Sequence, residues 1–418
     1  MRICVVHQYY LGPGDPGISR YNEMARLWVE AGHSVTVIAG SVNHYTGLPA
    51  GGSRSGFVTR QRDGDVVVYR CFVPGRYAHS YVWRRVGYLA FTLSSSVAAV
   101  LSPHADVVIA TSPPLFVVIA GWLKARLGGP GTPWVFEVRD LWPESAVTTG
   151  VVDRRSLQAR LMYRLERWAC RSADLISALT PGIRADIERR GLAAQGKIVD
   201  MPNAADLATF RPGPRDNEVR RRFGWGDRCV AMYAGAHGRA NDLDQLVDAA
   251  GLLRDRSDIQ IAFVGDGPQR PRLEERAREL GLTNLTFCGA VPKEAMADHV
   301  NAADIGLAVL QPNPTFLTVY PNKIFDYMAC ARPIVIAIDG VARTLVAETI
   351  GSGIYAAPGD AHAIADAIRR LADDAAFRAA MGERGRAWVV ANASRETIAA
   401  NYLQVLRTLV AKKKGNVP

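Results

Sequence analysis

Lys323 stands where one side chain and the backbone around it can hold an anion. It lies in the run Phe316-Leu317-Thr318-Val319-Tyr320-Pro321-Asn322-Lys323-Ile324-Phe325-Asp326-Tyr327-Met328, where Ile324, Phe325 and Met328 recur at helical spacing. Pro321 fits a first helical turn because its missing N–H is not needed there, and Asn322 or Thr318 can cap. A loop opening into a helix N-terminus beside a lysine presents unpaired N–H groups, the positive end of a dipole and a point charge, a combination suited to phosphate. Asp326, a turn further in, is placed to reach a neighbouring hydroxyl. A second cluster, Arg139-Asp140-Leu141-Trp142-Pro143-Glu144-Ser145, follows the apolar run Trp134-Val135-Phe136-Glu137-Val138. Charged groups just beyond the end of a buried strand sit where open α/β sheets bind their ligands, which makes Asp140, Arg139 and Glu144 candidates for catalysis.

The elements that must position these residues repeat. Near the N-terminus a strand through Ile3 to His7 leads into the glycine-rich loop Gly12-Pro13-Gly14-Asp15-Pro16-Gly17, then a helix with Met24, Leu27, Trp28 and Ala31 on its core face, then the strand Ser34 to Ala39. This is a βαβ unit with a candidate phosphate loop. The pattern restarts at Cys229-Val230-Ala231-Met232-Tyr233, followed by Ala234-Gly235-Ala236-His237-Gly238-Arg239. Further strands end at the turn Gly265-Asp266-Gly267-Pro268 and at Gly289-Ala290-Val291-Pro292-Lys293. Arg332-Pro333 closes the Lys323 helix, and Ile334 to Ile338 reads as a buried strand. Residues 43–65, rich in Gly, Ser and Arg, read as a mobile excursion. The expected organisation is an α/β chain of two Rossmann-like domains, 1–205 and 206–385, facing across an interdomain cleft. Helices over 386–418 are expected to pack back toward the first domain and to end in a basic tail.

Composition sets outer limits. With 418 residues, 48% hydrophobic and 22% charged, the chain has the make-up of a globular protein and the length for two to three domains of about 150 residues. The most apolar stretch, Val86 to Val100, is interrupted by serines and falls short of the ~20 residues a membrane span requires. Met1-Arg2-Ile3-Cys4 enters a strand directly, which predicts no signal peptide and a cytoplasmic location. The six cysteines are scattered without a C-x-x-C pair, as buried free thiols would be. A formal charge of +10 invites an anionic partner. Nucleic acid is disfavoured because the charge is dispersed and no binding motif appears. From Tyr77 to Phe91 aromatic and basic residues mix (Tyr77, Tyr81, Trp83, Arg84, Arg85, Tyr88, Phe91). That mixture suits either peripheral contact with an anionic membrane or a core helix pair with a basic rim.

Taken together, Gly265-Asp266-Gly267-Pro268, Phe287 to Pro292, Ala303-Asp304-Ile305 and Pro321 to Ala329, with Arg139 to Ser145 in the first half, resemble the bacterial retaining glycosyltransferases of family 4. These have the two-domain GT-B fold. The resemblance is to the branch that transfers amino sugars (fucosamine-type) in surface-polysaccharide assembly, and it covers nearly the whole chain. It implies transfer of a hexose or N-acetylhexosamine from a nucleoside-diphosphate sugar, UDP by weight of the family, to a lipid-linked or small-molecule acceptor, without metal or other cofactor. It places the donor on Gly17, Gly235, His237, Arg239, Gly265, Gly267, Val291, Lys293, Thr318, Tyr320, Pro321, Asn322, Lys323 and Asp326. The family carries glutamates at the positions of Thr318 and Asp326, so Asp326 takes the ribose and neutral Thr318 departs from the pattern at the sugar. Asp242 stands about where relatives have a phosphate-gripping lysine, which leaves that task to Arg239 and Lys323. Asp140 is the carboxylate the resemblance turns toward the anomeric carbon. Two rival readings share the fold: a nucleotide-sugar 2-epimerase, which isomerises the donor without an acceptor, and a catalytically inactive sugar-nucleotide-binding relative.

Overall fold

The structure is a computed structural model that describes every residue except 16–18, 44–46, 54–55, 76–80, 195 and 416–418, and the side chains of 81, 82 and 293. The chain divides into two compact units. One comprises Met1–Pro202 with Glu396–Pro418, the other Asn203–Arg395.

Among the described residues the first unit is built on eight strands: β1 Arg2–Val6, β2 Ser34–Gly40, β3 Val58–Asp63, β4 Val66–Cys71, β5 Val107–Ser112, β6 Trp134–Val138, β7 Leu175–Ala178 and β8 Ile198–Asp200. Their order in the sheet is β3-β4-β2-β1-β5-β6-β7-β8. All neighbours are parallel except β3, which runs antiparallel to β4. The inner strands are buried on both faces, hence their unbroken apolar runs. β3 lies inside the expected excursion 43–65 and corrects it. Its polar sequence Val-Thr-Arg-Gln-Arg-Asp reads as loop because an edge strand keeps one face in water.

The helix Tyr81–Leu101 turns Tyr88 and Phe91 into the core, so these two aromatics are not the surface groups a membrane reading needs. Tyr77 lies outside the described residues. The last helix, Arg395–Lys413, packs within the first unit: the Trp28 indole N–H donates to the Ala399 carbonyl at 3.1 Å and its ring lies 5.7 Å from that of Tyr402. The helix Ala375–Asn392 runs unbroken across residue 386 and belongs to the second unit.

The second unit has six strands: β9 Cys229–Ala234, β10 Ile259–Val264, β11 Leu285–Gly289, β12 Ile305–Val309, β13 Ile334–Ala337 and β14 Gly353–Tyr355. They are ordered β11-β10-β9-β12-β13-β14 and all parallel. The chain reverses its winding between β9 and β12. In a doubly wound sheet a crevice opens at that switch point, outside the carboxyl ends of the strands. No helix among the described residues is long and apolar enough to cross a membrane.

Candidate functional site

The switch point of the second unit is held open by one side chain. β9 and β12 pair only as far as Tyr233 and Leu307, and beyond that the strands part. The hydroxyl of buried Tyr327 fills the gap. It accepts from the Ala234 N–H at 2.8 Å and lies 3.1 Å from the Met232 carbonyl and 3.3 Å from that of Leu307. Its ring needs the space that Gly306 leaves on β12, where a Cβ would come within 2.4 Å of it. Tyr327 thereby fixes the helix Asn322–Ala329 against the sheet, with Ile324, Phe325 and Met328 buried beneath it.

Residues four apart share a helix face, so anchoring Tyr327 aims Lys323 at the end of β9. The Lys323 ammonium lies 3.5 Å from the centre of the Tyr233 ring. It also lies 2.9 Å from where a Cβ on Gly235 would stand. Nζ is buried and has no hydrogen-bond partner among the described residues. Burial alone drives its pKa well below the ordinary lysine value of 10.5. The helix start is equally open. Pro321 occupies the N-cap position rather than the first turn, and no side chain caps the helix. Asn322 instead accepts from Asn203 at 2.5 Å, and the Thr318 hydroxyl donates to the Thr315 carbonyl at 2.9 Å. Free N–H groups, the helix dipole and an uncompensated cation thus converge beside one glycine turn.

The glycine turns are stacked on one another. Gly235 takes φ +147° and Gly265 φ +131°, and a Cβ on Gly265 would stand 1.9 Å from the Gly235 carbonyl oxygen. The Gly235 N–H donates to Val264 and the Gly265 N–H to Gly289. Gly267 lies against the His237 backbone, whose N–H donates to Asp266. The His237 imidazole is enclosed by the rings of Tyr233, Phe263 and Phe287, and both its nitrogens are buried without a partner among the described residues. Burial, then the Arg270 charge, lowers its pKa from 6.5.

A cavity of ≈ 340 Å³ opens beside this turn, lined by Gly238, Arg239, Asp242, Asp244, Arg272 and Gln311 among others. It therefore joins the loop after β9 to the end of β12. Asp242 is a turn residue with φ +45°; burial, then the neighbouring Asp244, raises its pKa. Tyr320 packs edge-on against Phe325, Asp326 is half-buried, and Val291 is partly buried against the core. Gly17 and the side chain of Lys293 lie outside the described residues. The sequence contains two Asp-x-Asp pairs, Asp63-Gly64-Asp65 and Asp242-Leu243-Asp244. Asp63 accepts from Tyr10, while Asp244 is bonded by Arg272 and Arg276. No group of three or more His, Cys, Asp or Glu among the described residues is gathered to hold a metal.

In the first unit, Arg139 and Asp140 follow β6 and are half-buried. Asp140 accepts from the Ser145 hydroxyl at 2.7 Å. Burial nonetheless raises the Asp140 pKa, against the bonds from Ser145 and the Leu141 N–H. Glu144 is committed elsewhere: one carboxylate oxygen is bonded by Arg154 and the other by the Tyr163 hydroxyl. Burial alone would raise its pKa, and these two partners outweigh that and lower it. We expect Glu144→Gln to lower stability by about 2 kcal/mol, the size of a lost hydrogen bond to a charged group, while kcat for transfer stays within about twofold. Thermal melting and initial rates check this, and a collapse of kcat at unchanged stability would make Glu144 a reacting group. Glu137 is a buried acid with no counterpart among the sequence candidates. Its carboxylate accepts from Thr111 at 3.0 Å and lies 3.8 Å from Arg20.

Residues 17–204 match the family described as a glycosyl transferase 4-like domain, and residues 228–374 the family described as glycosyl transferases group 1. The chain carries these two glycosyltransferase domains. Among similar proteins, the Escherichia coli (strain K12) protein WcaI, whose name assigns it to glycosyl transfer in colanic acid biosynthesis, is 25% identical over 88% of this chain and 92% of its own length. The 2-deoxystreptamine glucosyltransferase of Streptomyces kanamyceticus is 29% identical over 66% of this chain and 70% of its own. The fold of this chain is shared with sucrose-phosphate synthase of Thermosynechococcus elongatus, at TM-score 0.75, 19% identity and 98% and 99% coverage of the two chains. It is shared also with Anabaena HepE, solved with UDP-glucose, at TM-score 0.71, 17% identity and 98% and 100% coverage.

Proposed function

We propose that this chain is a retaining glycosyltransferase that moves a hexose or N-acetylhexosamine from a nucleoside-diphosphate sugar, with UDP as the nucleotide, to a lipid-linked or small-molecule acceptor. One observation carries the reading. The Lys323 ammonium is buried without a hydrogen-bond partner among the described residues, at an uncapped helix start and beside a glycine turn, where an anion would relieve a desolvated charge. The names of the similar proteins support sugar transfer, and the UDP-glucose bound by a protein of the same fold supports the donor class.

Cleaving the bond between an anomeric carbon and a diphosphate leaves negative charge on the phosphate oxygen and positive charge on the sugar. Donors already fixed at that phosphate lower the barrier most. In this reading Lys323, the open N–H groups at Asn322 and Lys323, and Arg239 receive the diphosphate. Asp326 takes the ribose hydroxyls, and the acceptor attacks from the face the phosphate leaves, passing its proton to a departing phosphate oxygen. These groups carry the charge without a metal. Asp140 of the first unit is assigned the carboxylate role toward the sugar.

Release of nucleoside diphosphate from a panel of nucleotide sugars, with and without candidate acceptors and in the presence of a chelator, tests the proposal. Acceptor-dependent release with retention at the anomeric carbon is expected. Isomerised donor would make the chain an epimerase, and nucleotide binding without turnover an inactive relative. The donor is first found by thermal shift, since a ligand at 100 times its Kd stabilises by about 2.7 kcal/mol.

A further inference from the structure

We infer that the outer face of the helix Leu157–Ser172 in the first unit docks an acidic amphipathic helix of a partner protein. The helix is fastened on one side only. The Ser156 hydroxyl caps it by accepting from the Ala159 N–H at 3.1 Å, and Ala159, Met162, Ala169 and Cys170 are buried beneath it. The opposite side carries Arg160, Arg164, Arg167 and Arg171, all exposed. Their spacing of four, three and four residues holds them within an arc of about 60° and spreads them over roughly 16 Å of helix. None of the four guanidinium groups has a hydrogen bond or ion pair among the described residues. Glu166 is the one acid of this helix, and it is buried and bonded by Arg190 at 2.9 Å, so it does not neutralise the row. Like charges three and four residues apart destabilise a helix. The row therefore works against the helix that carries it. An apolar edge runs beside the arginines. Leu157 and Leu161 are 70% and 53% exposed, and Trp168, two turns further along that edge, is half-buried against Trp122 at 5.6 Å.

Charge and period together decide what covers this face. A partner helix repeats with the same period, so carboxylates at the same spacing meet the guanidinium row along its whole length while an apolar edge of the partner covers Leu157 and Leu161. Flanking charges of this kind select partner and register where two helices pack. A second copy in two-fold contact would set one arginine row against the other. Nucleic acid would use the arginines and leave the leucines in water. A lipid surface matches less well, because peripheral binding scales with the apolar area inserted, and Leu157 and Leu161 are the exposed large apolar side chains of this helix. The inference is independent of the transfer reaction proposed above and can fail without it.

Fluorescence anisotropy with the full-length chain and two labelled helical peptides provides the test. The first peptide carries glutamates at i, i+4, i+7 and i+11 beside a leucine edge. The second has the same composition with the glutamates moved to the far face. The first is expected to bind more tightly by about tenfold or more and to be released by salt. Arg164→Gln with Arg167→Gln should weaken its binding by roughly two- to fivefold per arginine, the range of an exposed ion pair. Leu161→Ser should weaken it by about tenfold, the equivalent of exposing one aliphatic side chain. These side chains are exposed, so the variants should keep the parent melting temperature and nucleotide response. Equal affinity for the two peptides overturns the inference, as does failure of the first to bind or binding that ignores the arginine changes. Sedimentation with phosphatidylglycerol vesicles that the arginine changes abolish, without preference between the peptides, would overturn it in favour of lipid. A dimer in light scattering that the same changes dissociate would overturn it in favour of a second copy.

Discussion

Lys323→Met is expected to make the ligand-free protein more stable while lowering nucleoside-diphosphate release by about two to three orders of magnitude. The two effects have one cause. In the ligand-free protein the ammonium is buried over the Tyr233 ring with no hydrogen-bond partner among the described residues. The attraction of the ring offsets only part of the desolvation cost. Methionine has a similar length and carries no charge, so the substitution should stabilise by on the order of 1 kcal/mol. During transfer the same ammonium would face the charge developing on the leaving phosphate, and removing one such donor typically costs 10²–10³ in kcat. A purely structural lysine would instead lose stability and activity together. Melting temperatures without ligand, compared with kcat for release, separate the cases, and turnover at the parental rate would remove Lys323 from the site.

The same lysine ties stability and binding to pH. Its folded pKa lies below the unfolded value of 10.5. Between the two values the unfolded chain holds a proton that the folded protein lacks. Stability therefore rises with pH through that window, and below it the full cost of the buried charge is present. A diphosphate beside the ammonium restores the proton, so nucleotide binding in that window should take up protons. Calorimetry in buffers of differing ionisation enthalpy reads that uptake, and Lys323→Met should abolish it.

How far the sequence discloses this site depends on what each residue signals locally. The repeated strand, glycine turn and helix mark both sheets, and the helix at Lys323 is legible from its spacing and from Arg332-Pro333. Tyr327 is not legible, because a tyrosine in an apolar helix reads as core. Its function is to place a hydroxyl where β9 and β12 part, a pairing set by the topology of the whole sheet. Gly306 is hidden for the same reason, since only the packed tyrosine ring shows why its Cβ is missing. Asp140 and Glu144 look alike in sequence and differ in structure. Glu144 has both oxygens bonded by Arg154 and Tyr163, contacts made from beyond its own turn, whereas the bond from Ser145 to Asp140 is local. β3 escaped because its outward residues are those of a loop.

Gly265→Ala should destabilise the second unit by about 3 kcal/mol or more and weaken nucleotide binding in the same variant. The alanine methyl would stand 1.9 Å from the Gly235 carbonyl oxygen and 2.9 Å from its carbon. Both are backbone atoms, so no side chain can rotate to make room, and φ at +131° is a conformation that alanine rarely adopts. One of the two stacked turns must move. If the turn after β9 yields, Gly235 shifts against the Lys323 ammonium, which already occupies the space beside it. Overpacking of this kind costs about 1–3 kcal/mol, to which the strained φ adds. For a unit of this size the melting temperature should fall by roughly 6–12 °C. Gly281→Ala provides the comparison: its φ is +63° with nothing within 4 Å of the added carbon, so it bears the backbone cost alone, about 1 kcal/mol. It should leave nucleotide affinity unchanged. Equal losses of stability in the two variants would show that the contact between the turns contributes nothing. Parental nucleotide affinity in Gly265→Ala would show that the turns stack without shaping the anion site.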